Sequence, residues 1–160
     1  MTEKKKFLIA SAYVAGLGLL SNLAAKDIKI TWKADRFPFA LWPWEKDGKL
    51  FRALRERKWK DRVPDMSKIL PFLPNKEIKS EPSGVQAEQL VQETCKAECV
   101  HAALIVSSFG ILAFWRDKWA ALFLSVYNLL GNLPFIIIQR FNRPRLVRLA
   151  KKKSGKLRLV

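Results

Sequence analysis

Two uncharged apolar runs, residues 99–115 and 119–138, follow each other in the second half of the chain. Only three polar residues, 116–118, separate them, which is enough to turn a helical hairpin but not to build a domain. A helix of about 20 residues crosses the roughly 30 Å hydrocarbon core of a bilayer. Residues 7–25 form a third run of this kind. Since a small soluble domain could not bury the first two runs on all sides, the sequence predicts an all-α integral membrane protein with about three transmembrane helices.

The polar remainder is predicted to lie at the membrane surface, so that residues 1–160 form a single membrane domain. Residues 26–98 make a cytoplasmic or interfacial segment, and residues 139–160 make a basic cytoplasmic tail. Tryptophan, phenylalanine and proline dominate residues 32–44, a composition typical of the headgroup level. Residues 47–60 follow with one apolar face among basic residues, which predicts an amphipathic helix lying in the interface.

The net charge of +16 is distributed very unevenly. Residues 139–160 carry nine Lys and Arg and no acid, and residues 26–98 carry sixteen against twelve acids. Three spans place both segments on one side, which the positive-inside rule makes cytoplasmic, although Lys4–Lys6 favour the opposite orientation. Those lysines also give residues 7–25 the look of a signal peptide, but the length of the run favours a retained span. Basic charge beside spans predicts anionic lipid or phosphate-bearing ligands as partners, and no nucleic-acid signature is present.

One long helix is predicted over residues 83–115, with its first half in water and its second half in lipid. Ser83 and Gln86 have the spacing of a capping box at its start. Cys95 and Cys99 lie four residues apart on this helix, and we interpret them as small buried residues rather than a redox or metal pair.

The single histidine, His101, is the leading candidate for a catalytic side chain. Glu98 lies three residues before it on the same helix face, where a carboxylate orients an imidazole, and Glu93 lies two turns back on the same side. The functional interpretation is a general base that takes a proton from a hydroxyl; the alternative is a snorkelling histidine with solvated carboxylates. Glu98 and His101 also have the spacing of di-metal bundles, but those sites need a second such motif, so no metal is predicted.

A polar stripe follows in the last apolar run. Asn128 and Asn132 share a helix face, and either form interhelical hydrogen bonds or begin a path towards an arginine cluster that binds phosphate or carboxylate. The candidate binding residues of that cluster and its surroundings are Gln139, Arg140, Asn142, Arg143 and Arg145. The basic residues beyond them are expected to hold the tail to anionic lipid.

Three stretches of this chain resemble a small bacterial membrane family, the glycosyl-4,4′-diaponeurosporenoate acyltransferases of staphyloxanthin-type carotenoid biosynthesis. The similarity covers most of residues 51–149, and residues 1–45 match only in character. The stretches are Arg57-Lys58-Trp59-Lys60 with Asp61, Glu93-Thr94-Cys95-Lys96-Ala97-Glu98 with His101, and Asn132-Leu133-Pro134 followed by Gln139-Arg140-Phe141-Asn142-Arg143-Pro144-Arg145-Leu146.

The resemblance implies transfer of a fatty acyl group from a thioester carrier to a sugar hydroxyl of a carotenoid glycoside in the bacterial cell membrane. It implies an acyl-thioester co-substrate and no other cofactor, with His101 as the base. The donor's phosphates would be held by the arginine cluster together with Arg57, Lys58 and Lys60, while Asn132 or Trp59 would position the sugar or the carbonyl. Two familiar acyl-transfer motifs are absent, since Val106 replaces the aspartate of a His-x4-Asp motif and no Gly-x-Ser-x-Gly elbow occurs.

Two other functions fit the residues. One is a metal-dependent membrane enzyme acting on a polyprenyl or phospholipid headgroup. The other is a non-catalytic membrane scaffold, which would retain its function when Glu98 or His101 is replaced. Three spans leave little interior for a long isoprenoid, so a homo-oligomer or a lipid-facing groove also remains open.

Overall fold

A computed structural model describes residues 1–28, 30–46, 53 and 83–157. These ranges are helical with short connections, and they contain no strand. The α-helices are α1 (Glu3–Asp27), α2 (Pro43–Lys46), α3 (Gly84–Ser108), α4 (Lys118–Val126) and α5 (Leu133–Leu157). A 3-10 helix, Phe109–Ala113, follows α3, and a π-helix, Tyr127–Asn132, joins α4 to α5.

Three helical stretches in the described part of the chain are long and apolar enough to cross a membrane. They are Glu3–Asp27, Gly84–Ala113 and Lys118–Lys153. The predicted fold class is therefore confirmed. The predicted interfacial helix over residues 47–60, apart from Ala53, lies outside the described residues.

The chain divides into two compact units. The first comprises Met1–Trp32 and Lys96–Ile137, and the second comprises Lys33–Cys95 and Ile138–Val160. That residues 1–160 form a single membrane domain stays a prediction.

The core of the first unit is small and apolar. Its buried members are Ala10, Ile111, Trp115, Ala120 and Leu124. By contrast, large apolar side chains stand on the outside of the same unit: Leu20, Val106 and Leu130 are 65%, 73% and 71% exposed. Extensive apolar exposure is unfavourable in water but costs nothing against lipid tails, as expected for helices that cross a bilayer.

Asp117 organises the turn of the predicted helical hairpin. Its Oδ1 accepts hydrogen bonds from the amides of Trp119 (2.9 Å) and Ala120 (3.2 Å), which caps α4. Its Oδ2 accepts from Trp115 Nε1 at 2.9 Å and from Lys6 Nζ at 3.3 Å. Burial raises the pKa of the Asp117 carboxyl, but these hydrogen bonds outweigh it and the pKa is lowered overall. The contact with Lys6 places the start of α1 at the hairpin end of the first unit, as three consecutive spans require.

The predicted capping box at the start of α3 is confirmed. Ser83 Oγ accepts from the amide of Gln86 at 3.2 Å, and Gln86 Oε1 accepts from the amide of Ser83 at 2.9 Å. The predicted long helix runs from Gly84 to Ala113, and its last turns, from Phe109, are 3-10 rather than α-helical.

Tyr13 of α1 contacts the chain where α3 passes into the 3-10 helix. The hydroxyl of Tyr13 donates to the carbonyl of Ser107 at 2.9 Å. A Cβ added at Gly110 would overlap that hydroxyl and lie 3.1 Å from the ring carbon bearing it. Gly110 therefore gives Tyr13 the space to reach the helix backbone.

Replacing Gly110 by Ala is expected to displace Tyr13 and to break its bond to Ser107. We expect a loss of about 1 kcal/mol in the free energy of unfolding, the usual worth of one hydrogen bond. Gly16→Ala is the matched control, because a Cβ there meets nothing within 4 Å and alanine is the better helix former. Thermal unfolding of both variants in detergent measures the difference. Equal midpoints for the two variants would contradict the assigned contact.

Candidate functional site

A chain of polar side chains runs between α3 and the π-helix in the first unit. His101 Nδ1 lies 3.1 Å from Asn132 Oδ1, and Asn132 Nδ2 donates to Asn128 Oδ1 at 3.2 Å. Asn128 Nδ2 donates to Ser108 Oγ at 3.0 Å, and Ser108 Oγ donates to the carbonyl of Ile105 at 2.7 Å. These hydrogen bonds join His101 to Ser108, which lies two turns further along α3. The connection runs through the two asparagines of the π-helix. These are the interhelical hydrogen bonds that the sequence offered as one interpretation of Asn128 and Asn132.

The imidazole of His101 is contacted on its ring face as well as at Nδ1. Its ring stacks on Phe135, with centroids 4.6 Å apart and planes 5° from parallel. The imidazole is half-buried, whereas Asn132 is only 2% exposed. Glu98, three residues earlier on α3, is buried. The contacts with Asn132 and Phe135 restrain the imidazole in one orientation.

The two asparagines belong to a π-helix, although the sequence pattern predicted them on an ordinary α-helix. The segment Tyr127–Asn132 has i to i+5 hydrogen bonding in place of i to i+4. Single π-turns inside α-helices occur often at functional sites. Here the π-turn contains both asparagines, whose side-chain amides form the hydrogen bonds to Ser108 and His101.

In the second unit, Arg140 forms a buried ion pair with Glu45. Its Nε and Nη2 donate to the two carboxylate oxygens at 2.7 and 2.5 Å. Its Nη1 donates to the carbonyl of Pro38 and its Nη2 to that of Ala40, both at 3.0 Å. Burial acts to raise the pKa of Glu45, but the bonds from Arg140 and from the amide of Trp42 lower it overall. Arg140 thereby anchors the aromatic segment around α2.

Arg143 reinforces the same arrangement. Its Nε donates to Thr94 Oγ1 at 3.0 Å and its Nη2 to the Thr94 carbonyl at 3.1 Å. Its Nη1 donates to the carbonyl of Phe39 at 2.9 Å, and the guanidinium lies 5.2 Å from the centroid of the Phe39 ring. A cavity of about 320 Å³ beside it is lined by Ala34, Asp35, Phe39, Ala40, Leu41, Arg143 and Pro144. Both arginines therefore make protein contacts with most of their donors.

The other predicted site residues are distributed as follows. Arg145 is exposed, and its guanidinium lies 4.0 Å from the centroid of Phe141. Gln139 and Asn142 are half-buried on α5, and Glu93 is half-buried on α3. Arg57, Lys58, Trp59, Lys60 and Asp61 lie outside the described residues. Among the residues described, no three His, Cys, Asp or Glu side chains come close enough to hold a metal ion.

Sequence reasoning missed two residues that the structure makes central. Ser108 is the last of the hydrogen-bonded side chains that begin at His101, but a serine within an apolar run carries no signal of its own. Glu45 was missed although its position was a signal: it directly follows a run of aromatic and proline residues, and a carboxylate buried among such residues requires a partner.

Fold and site together define a multi-span helical membrane protein with a fixed histidine in one of its candidate spans. The sequence model of the glycosyl-4,4'-diaponeurosporenoate acyltransferase family matches residues 35–152. The chain belongs to this family of acyltransferases, which confirms the resemblance predicted from the residues.

Proteins carrying that family name are similar to the chain over much of its length. The one from Staphylococcus haemolyticus (strain JCSC1435) is 34% identical over 110 residues, which cover 68% of this chain and 63% of the relative. The one from Staphylococcus aureus (strain MRSA252) is 25% identical over 134 residues, covering 82% of this chain and 79% of the relative. No solved structure matches the chain.

Proposed function

We propose that the protein transfers a fatty acyl group from a thioester donor to a sugar hydroxyl of a membrane-held carotenoid glycoside. The observation that carries this proposal is the family match, which extends from residue 35 to residue 152 and so includes the only histidine of the chain. The candidate spans supply a membrane location for an apolar acceptor. The half-buried, hydrogen-bonded imidazole of His101 supplies a base.

The proposed step is acyl transfer with His101 as general base. His101 Nε2 takes the proton of the sugar hydroxyl as the hydroxyl oxygen bonds to the thioester carbonyl carbon. Collapse of the tetrahedral intermediate breaks the carbon–sulfur bond, and the departing thiolate takes the proton from the imidazolium. The products are an ester and a free thiol. Glu98 and Glu93 keep the supporting roles predicted for them, and Glu98 is the nearer to His101 along α3.

We rank the arginines proposed to hold the donor's phosphates by the contacts they already make. Arg140 and Arg143 already bind a carboxylate, a hydroxyl and backbone carbonyls, and would have to give up these bonds to hold a ligand. Arg145 is exposed, so we assign the phosphate contact to it first. Residues 57–61 keep their predicted share in binding.

We assign the reaction to the cytoplasmic face of the bacterial cell membrane. Residues 26–98 and 139–160 together carry 25 of the 30 basic residues, and three spans put both segments on one side. The donor would therefore arrive from the cytoplasm, while the acceptor and anionic lipid are membrane components.

The test is acyl transfer by the purified protein in nanodiscs. A glycosylated apocarotenoid and a fatty acyl-thioester are supplied, and the product is identified by its mass. We expect a mass increase equal to one fatty acid minus one water, with release of one thiol. An ester formed only on another lipid would overturn the proposed acceptor. No ester on any acceptor, with and without added divalent metal, would favour the scaffold function.

A further inference from the structure

We propose that Asn132, Asn128 and Ser108 are positioning residues that hold His101 in the tautomer with its hydrogen on Nδ1 and its lone pair on Nε2. The proposal concerns the base of the proposed function and rests on it for its catalytic meaning. The tautomer itself is a property of the folded protein and is measurable without any substrate.

The direction of the hydrogen-bond chain is set at its far end. The carbonyl of Ile105 can only accept, and Ser108 Oγ lies 2.7 Å from it, so the single hydroxyl hydrogen of Ser108 points to that carbonyl. Ser108 must then accept from Asn128, which presents its amide nitrogen at 3.0 Å. The carbonyl oxygen of Asn128 consequently faces Asn132.

The same logic carries the direction to the histidine. Since Asn128 presents an oxygen, Asn132 presents its nitrogen to Asn128 and its oxygen to His101. An oxygen acceptor 3.1 Å from Nδ1 requires a hydrogen on Nδ1. In a neutral imidazole the other nitrogen, Nε2, then carries the lone pair. Stacking on Phe135 restrains rotation of the ring about Cβ–Cγ, which would replace Nδ1 by a ring carbon at the Asn132 contact.

This arrangement matters because a general base must present an unprotonated nitrogen to its substrate. In serine hydrolases a carboxylate on Nδ1 fixes the same tautomer. Here neutral amides do so, and the last member of the chain, Ser108, is buried and lies seven residues from the base. The neutral chain fixes the tautomer without placing a further charge within the span, where charge is costly.

The single histidine makes the test direct. The protein is produced with 15N-labelled histidine, so the imidazole nitrogens in the spectrum come from His101 alone. Above the pH at which the ring loses its extra proton, we expect Nδ1 to show one-bond coupling to hydrogen and Nε2 to resonate as an unprotonated nitrogen. The reverse assignment, or rapid averaging between the two tautomers, would overturn the proposal.

Variants test whether the hydrogen bonds from Ser108 to His101 cause this tautomer. Asn132→Leu removes the acceptor, and Ser108→Ala removes the residue that sets the direction. We expect both to raise the Nε2–H population, which is the preferred tautomer of a free histidine side chain. Ser107→Ala is the matched control, since Ser107 is the exposed neighbour of Ser108 on α3, and it should leave the spectrum unchanged. An unchanged tautomer in folded Asn132→Leu would contradict the role of the chain. A protein with the expected tautomer but no acyl transfer would instead refute the proposed function.

Discussion

Replacing His101 by Gln should reduce acyl transfer by at least about 10²-fold, the low end of what a general base contributes. Glutamine keeps a polar side chain that can hydrogen-bond to Asn132, but it cannot take a proton from a sugar hydroxyl. The loss should appear in kcat more than in KM, because proton removal belongs to the transition state and not to acceptor binding. Initial rates of ester formation in nanodiscs, over a range of acceptor concentrations, separate the two constants.

Two comparisons make this result specific to the base. Val106→Ala changes an exposed side chain on the same helix and should transfer acyl groups at the rate of the unmodified protein. Adding imidazole to a His101→Ala protein offers a base to the space beside Phe135 and should restore part of the rate. A folded His101→Gln protein with more than a third of the normal kcat would remove His101 from the mechanism and leave the acyltransferase assignment standing.

The spans could be predicted because hydropathy acts locally. A run of about 20 uncharged apolar residues has few alternatives to a membrane helix, and the capping box at Ser83 needs only its own four residues. The helix irregularities could not be predicted in the same way. The 3-10 helix lies where Tyr13, some 94 residues away in sequence, bonds to Ser107, and the π-turn carries amides that bond to α3. Such irregularities depend on tertiary partners that no local pattern contains.

In the candidate site, too, the sequence indicates the residue types, whereas their partners depend on tertiary contacts. His101 stood out as the only histidine, and the two asparagines as polar groups within an apolar run. Arg140 was predicted to bind the phosphate or carboxylate of a ligand, and in the structure it binds the carboxylate of Glu45, 95 residues away. A guanidinium's preference for a carboxylate or phosphate can be deduced from its chemistry. Whether that anion comes from the protein or from a ligand depends on the fold.

Removing the carboxylate of Glu45 should produce the largest stability loss in the second unit. In Glu45→Ala the guanidinium of Arg140 stays buried with its charge uncompensated, which costs about 3–5 kcal/mol for a broken buried pair. The double variant Glu45→Leu with Arg140→Met removes both charges, so it should recover most of that loss. Glu45→Leu and Arg140→Met as single variants complete a double-mutant cycle with this double, measured by thermal unfolding in detergent. Asp35→Asn, at an exposed carboxylate of the same unit, is the control and should change the midpoint little.

The pH dependence of the same variants separates the ion pair from simple packing. Because the pKa of Glu45 is lowered in the folded protein, its contribution to stability is fully present above the ordinary glutamate value of about 4.3. That contribution should be lost as the pH falls through the lower, folded value. The unmodified protein should therefore lose unfolding free energy as the pH falls below about 4.3, and Glu45→Gln should lose less. Parallel pH profiles for the two proteins would mean that Glu45 stabilises the aromatic segment by its shape, and that Arg140 is held by the backbone carbonyls of Pro38 and Ala40 alone.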